Sequence, residues 1–218
     1  MSMIRHEFLS ALHARIRPAV YVEVGVQTGA SLALSAAPLS IGIDPHPIVT
    51  PGLLGAHHLV FGETSDSYFS KGAEELADDW VDFAFIDGMH LFEFALRDFA
   101  NIEKFSHPKT VVVFDDVLPR NPQEATREML TPDWTGDVWR VYYWLKLFRT
   151  DLHLMLTDTT PTGTLVVTGL DAGHVWPAEV QAPGFSPVDV PVPPDVLTRH
   201  GTWMAAATIA EVERWINA

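Results

Sequence analysis

Tyr21-Val22-Glu23-Val24-Gly25-Val26-Gln27-Thr28-Gly29-Ala30-Ser31 runs from an apolar strand through an acid into a turn with two glycines four apart. The small residues that follow predict a helix over 29–37, stopped by Pro38. Glycine has no Cβ, so such a turn lets backbone approach a bound nucleotide closely. Glu23 stands where an ammonium or hydroxyl group could be held. A phosphate-binding loop would need a Lys-Ser or Lys-Thr pair instead. A nicotinamide-binding turn would carry G-x-G-x-x-G, whereas the spacing here is G-x-x-x-G. A nicotinamide oxidoreductase is therefore the alternative reading rather than the first one.

Downstream of this turn, short apolar runs alternate with helical patterns. Ser40-Ile41-Gly42-Ile43-Asp44 and residues 58–61 read as the second and third strands. Val81-Asp82-Phe83-Ala84-Phe85-Ile86-Asp87 is a fourth, and Thr110-Val111-Val112-Val113-Phe114-Asp115-Asp116 a fifth, rich in β-branched residues. Helices are predicted over 3–16, 68–77 and 90–103 by their apolar spacing. Asn121-Pro122-Gln123-Glu124 has the form of a helix start, and Asp137 is placed to cap a helix with the stripe Val138, Val141, Leu145 and Phe148. Residues 152–157 and 164–168 form a hairpin around a six-residue turn. This order predicts a Rossmann-like, doubly wound α/β sheet, mostly parallel, with an antiparallel last strand. Six of the sixteen prolines fall in 177–194, which reads as an extended strap, and 208–216 as a short helix.

The chain has 218 residues, enough for one substantial core. It has no cysteine, so disulfides, thiolate metal sites and a cysteine nucleophile are excluded. A net charge of −14, with no run of Lys or Arg, weighs against nucleic-acid binding. No apolar run reaches the roughly 18 residues of a membrane span, and no signal-peptide pattern is present, so a cytoplasmic location with no membrane partner is the expectation.

Acids recur at the strand ends, where open α/β sheets bind ligands. Asp44 lies nineteen residues after Gly25, close to the spacing at which an acid meets a ribose hydroxyl. The Glu63-Thr64-Ser65 turn would flank the base, and Gly88 would permit close backbone contact. Asp87, Asp115 and Asp116 end the fourth and fifth strands. Three carboxylates at one point repel unless a cation intervenes, and oxygen ligands without cysteine suit Mg²⁺. The other reading is that Asp116 points away and Asp115 caps a backbone group. His90, three residues beyond Asp87, is placed to take a proton from a substrate hydroxyl, or simply to cap the next helix. Arg120, Trp134, Trp139, Arg140 and Tyr143 mix aromatic surface with cationic donors and are candidates for an acceptor pocket; His46 is a further candidate near the cofactor.

Glu23-x-Gly25-x-x-x-Gly29 after the first strand, with the strand order above, resembles the class I S-adenosylmethionine (SAM) methyltransferase superfamily over residues 20–170. Ile86-Asp87-Gly88-Met89-His90 followed by Phe114-Asp115-Asp116 resembles, more narrowly, the metal-dependent small-molecule O-methyltransferases of the macrolide-sugar (macrocin and mycinamicin) type. Catechol O-methyltransferases are a related comparison, with Asp-Asn at the fifth strand and Lys at the position of His90. The resemblance implies that Glu23, Gly25, Gly29, Asp44, Glu63, Thr64, Ser65, Asp87 and Gly88 line the SAM site. It implies Mg²⁺ on Asp87, Asp115 and Asp116, and His90 as the base. The chain is shorter than the macrolide-sugar enzymes, and their N-terminal regions have no match in it. One methyltransferase domain over 1–218 is expected, with an N-terminal helix over 1–19, a SAM-binding core over 20–170 and the strap and helix over 171–218. Its acceptor would be a small hydroxylated molecule, and a homo-oligomer is a possible assembly. A non-catalytic SAM-fold binding or assembly protein is the remaining alternative.

Overall fold

A computed structural model describes residues 3–77, 79–182, 211, 212 and 214. In chain order its first elements are β1 (Met3–Ile4), α1 (Arg5–Ile16), β2 (Val20–Val24), β3 (Leu39–Ile43), β4 (His58–Phe61) and α2 (Ser65–Ser70). Then come β5 (Val81–Ile86), α3 (Phe92–Glu103), β6 (Ser106–Phe114), α4 (Arg140–Phe148), β7 (His153–Thr157), β8 (Thr159–Thr160), β9 (Thr164–Thr168) and α5 (Ala178–Gln181).

Every residue of β2 is buried, which suits a strand covered on both faces. The sheet order is β4-β3-β2-β5-β6-β9-β7. The pairings from β4 through β6 are all parallel, and β9 is antiparallel to both β6 and β7. The expected hairpin therefore forms, but its second strand inserts between β6 and its own partner. Strand alternation sorts the core into two layers. Tyr21, Phe83, Phe85, Val111 and Val113 face Phe8, Leu9 and Leu12 of α1. Val22, Val24, Ala84, Ile86 and Val112 face Phe92, Leu96 and Phe99 of α3 and Val141 and Leu145 of α4. Among the described residues, no helix is long and apolar enough to cross a membrane.

Five local expectations are corrected. In place of a helix over 29–37 there is a single 3₁₀ turn, Leu32–Leu34. Ser35 turns extended, and its Oγ accepts from the Ala37 amide at 3.2 Å, a local bond that competes with helix continuation. The helix expected over 68–77 starts earlier, because Thr64 caps the Ser67 amide, and breaks at Gly72 and Ala73, both at positive φ. Asn121 does accept from the amides of Gln123 and Glu124, but no helix follows: the Glu124 carbonyl is taken by the Thr135 amide. Asp137 caps α3 instead of α4, with Oδ1 accepting from the Phe92 amide at 2.8 Å, and Phe148 is 56% exposed rather than part of the core stripe. The strap begins with a helical turn, α5, before 183–194, which lie outside the described residues. Of the helix expected over 208–216, residues 211, 212 and 214 are helical and the rest lie outside the described set.

Glu23 is fully buried in the central strand, with Tyr21 Oη and Ser31 Oγ each donating to it at 2.6 Å. Burial raises its pKa from an ordinary 4.5 to about 8, against the two hydroxyl bonds that favour its charged form. The folded protein thus keeps a proton that the unfolded chain releases, a cost absent below the unfolded pKa that grows as pH rises toward the folded one. Thermal melts should show Glu23→Gln, which cannot ionise, gaining roughly 10 °C on the wild type as pH goes from 5 to 8. An unchanged gap across that range would show Glu23 to be charged in the fold.

Candidate active site

At the carboxyl ends of the parallel strands lies a cavity of about 680 Å³. One half is walled by the turn after β2, by Asp44 and by Thr64, Ser65 and Asp66; the other by Arg5, Asp87, His90, Asp116 and Trp134. The first half is shaped by backbone. Gly25 has φ of 90°, and a Cβ there would lie 1.9 Å from the Asp87 carbonyl oxygen. The Gly25 amide donates to Ile43 O and the Asp87 amide to Val24 O, so this crossing cannot open without breaking the sheet. Asp44 Oδ2 accepts from the Val26 and Gln27 amides at 3.0 and 2.8 Å, and Oδ1 from the His46 amide at 2.7 Å. The acid therefore folds the glycine turn; Oδ2 is saturated by its two amides, and Oδ1 keeps a second lone pair for a ligand.

The second half is a charge cluster. His90 Nε2 lies 3.4 Å from Asp87 Oδ1 and 3.1 Å from Asp116 Oδ2. The other ring nitrogen, Nδ1, donates to the Trp134 carbonyl at 2.8 Å, and the Trp134 ring stacks on the imidazole at 5.4 Å. That bond places the Nδ1 proton and turns Nε2 to the acids. Burial alone would lower the His90 pKa, but the Asp87 hydrogen bond and the charges of Asp116 and Asp87 outweigh it and hold the ring up at about 9. Asp116 is raised by burial, and its Oδ1 accepts from Thr162 Oγ1 at 2.7 Å. Arg5 Nη1 donates to Asp87 Oδ2 at 3.1 Å and also to Asp115 Oδ2, while Asp115 Oδ1 is buried with no partner.

Backbone strain collects at the same place. Gln27, His90 and Asp116 have φ of 45°, 51° and 61°, a region worth about 1–3 kcal/mol of strain for a residue with a side chain. All three line the cavity. Asp87, His90 and Asp116 present one ligand atom each within 4.8 Å of one another. The carboxylate oxygens of Asp87 and Asp116, with an orphaned oxygen on Asp115 nearby, fit a hard divalent cation such as Mg²⁺, and His90 Nε2 faces the same point without being needed as a ligand.

Residues 22–117 match a family model described as a methyltransferase domain. TomG, an O-methyltransferase from Streptomyces achromogenes in complex with SAM, superposes with a TM-score of 0.60 at 17% identity over 77% of this chain and 80% of its own. Cofactor-bound Rv0187 from MTB gives 0.59 at 17% identity over 77% and 80%. An O-methyltransferase from Bacillus cereus in complex with SAH gives 0.53 at 16% over 75% and 80%. The fold is that of the class I methyltransferases. Among curated proteins, none matches this chain.

Within this methyltransferase fold the sequence-derived site residues divide. Gly25, Asp44, Thr64, Ser65, Asp87, Gly88, His90 and Asp116 line the cavity. Gly29 is not part of the lining; its φ of 81° shapes the far end of the turn. Glu23 lies behind the cavity, buried in the strand, and reaches the lining only through Ser31. The Glu63 carboxylate is turned outward to Ser67 and Lys71. Asp115 is drawn to Arg5 and away from the three-atom cluster. His46 is also outside the lining.

Arg120, Trp139, Arg140 and Tyr143 do not reach the cavity. Arg120 is bonded to Glu124 and Asp133. Trp139 and Tyr143 are buried against each other with Ala125 and Tyr142, and the Arg140 guanidinium lies 5.1 Å over the Trp139 ring. Trp134 does face the cavity, from the loop that precedes α4. Arg5, His6, Asp98 and Thr162 are lining residues that sequence reasoning missed. No spacing could have found Arg5, since 82 residues separate it from Asp87.

Gly25→Ala should cost at least about 3 kcal/mol in urea unfolding, because both steric room and φ forbid the methyl. Gly62→Ala meets nothing within 4 Å and should change stability by less than about 0.5 kcal/mol. Equal costs at the two positions would contradict the close crossing.

Proposed function

We propose that the protein is a SAM-dependent methyltransferase that transfers a methyl group to a hydroxyl of a small molecule. One observation carries the reading: a single cavity runs from the glycine turn and Asp44 to the Asp87–His90–Asp116 cluster. A cofactor held at the first end puts its reactive carbon beside the acid–base groups at the second. The neighbours' SAM and SAH complexes support that choice of cofactor.

In this reading the turn over Gly25–Thr28 takes the amino-acid part of SAM by backbone, and Asp44 takes the ribose. Thr64, Ser65 and Asp66 border the adenine. The methyl group passes from sulfonium to oxygen in one in-line displacement, and alignment of the two substrates supplies much of the rate. Asp87 and Asp116 would hold Mg²⁺, which when bound lowers the pKa of a hydroxyl and orients it. His90 Nε2 receives the hydroxyl proton, with its orientation set by the Trp134 carbonyl. Without a cation the ring is instead a counter-charge to both acids, so base and metal belong to one mechanism. Trp134 and Met89 offer apolar surface to the acceptor. The acceptor is a small molecule rather than nucleic acid or membrane, in keeping with the acidic net charge of −14.

Calorimetric titration should show saturable SAM binding to the full chain and no binding of NADH; the reverse result would favour the oxidoreductase. With a catechol as acceptor mimic, chelator should abolish turnover and Mg²⁺ restore it. His90→Ala should lower kcat by about 10²–10⁴ while SAM affinity stays unchanged. Full turnover by that variant would remove His90 from the chemistry.

A further inference from the structure

The acids at the ends of β5 and β6 are answered by two cations that arrive from opposite sides. Asp87 is shared: Oδ1 faces His90 and Oδ2 faces Arg5. Asp116 pairs with His90, and Asp115 with Arg5. Arg5 thus splits the three carboxylates into a pair that opens to the cavity and a third, 2% exposed, that it holds aside.

The position of Arg5 is built rather than incidental. It opens α1, directly after β1, and β1 pairs in parallel with β8, with Thr160 Oγ1 donating to Met3 O at 3.3 Å. Two residues beyond β8, Thr162 holds Asp116. One short strand pair therefore fixes both the guanidinium and the acid opposite it in a common frame. The guanidinium side chain is only 26% exposed, and its Nη1 donates to both Asp87 and Asp115.

We propose that Arg5 is a positioning residue that holds Asp115 out of the cation site and sets the affinity of the Asp87–Asp116 pair for a divalent cation. A fixed positive charge beside Asp87 opposes a second one, so the resident arginine keeps metal binding weak and reversible. Removing it frees Asp115 Oδ2, beside the already unpartnered Oδ1, to join the ligand set. This rests on the cation reading given above.

The test is Mn²⁺ binding to the chelator-stripped full chain, read by loss of the free Mn²⁺ signal in electron paramagnetic resonance. Arg5→Met should bind Mn²⁺ at least about tenfold more tightly than the wild type, a difference of about 1.4 kcal/mol. Arg5→Lys keeps the positive charge on a shorter side chain that reaches the two carboxylates less well, and should fall between the two; it carries the test if the methionine variant does not fold. Asp116→Asn should lose Mn²⁺ binding, which assigns the signal to this site. If both Arg5 variants bind no more tightly than the wild type, the proposal is overturned while the cation site stands. If no form binds Mn²⁺, the cation reading fails and takes the proposal with it. SAM titration of the same samples reports separately on the cofactor reading.

Discussion

The constraint on which the rest of the site depends is the crossing of Gly25 over Asp87. A methyl group on Gly25 would sit 1.9 Å from the Asp87 carbonyl oxygen, so the turn after β2 and the end of β5 touch backbone to backbone. The parallel register Val24↔Ile86 sets that contact, and the register follows from which residues of each strand face α1 and which face α3. Because the contact is so tight, the nucleotide-type turn and the first carboxylate of the reactive end cannot move apart. The two ends of the cavity are thus held at a fixed separation by backbone packing and hydrogen bonds.

From that point the site is an exercise in charge placement. The acids belong to rigid strand ends, while the contacts that aim the two cations come from remote parts of the chain. His90 is steered by Trp134 in the loop before α4, and Arg5 by the β1–β8 pairing. Asp87 receives both, one on each oxygen. Left-handed backbone at His90 and Asp116 is held by this web of contacts, which offsets its local cost.

How much of this the sequence disclosed follows from the range of the forces involved. Strands β7 and β9 were legible because two apolar runs flank a turn, and β2, β3, β5 and β6 because buried parallel strands read as apolar runs whatever their neighbours do. The acids at their ends were legible for the same reason. Features set by distant partners were not. Asp137 looks like the cap of the helix that follows it, but its carboxylate is used by α3, 45 residues back in the chain. Trp139 and Tyr143 lie off the main stripe of α4, which made them look like pocket residues; they are in fact buried against each other and Ala125 in a small cluster of their own. The helix expected over 29–37 had suitable composition, yet only Leu32–Leu34 turn before Ser35 becomes extended and takes the Ala37 amide on its hydroxyl.

The clamp on His90 has an evolutionary side. The residue that orients the imidazole, Trp134, is carried by the same loop that supplies Pro132 and Asp133 to the cavity wall. Gly136, two residues on, fits only because it has no side chain: a Cβ there would lie 1.6 Å from the His90 carbonyl. Loops of this kind are where lineages ordinarily diversify what they recognise. Here a change of loop length or sequence alters the rim of the pocket and the aim of the histidine in one stroke. Side-chain exchanges at Pro132 and Asp133 change the wall while leaving the Trp134 carbonyl in place, whereas an insertion between Trp134 and Gly136 displaces it.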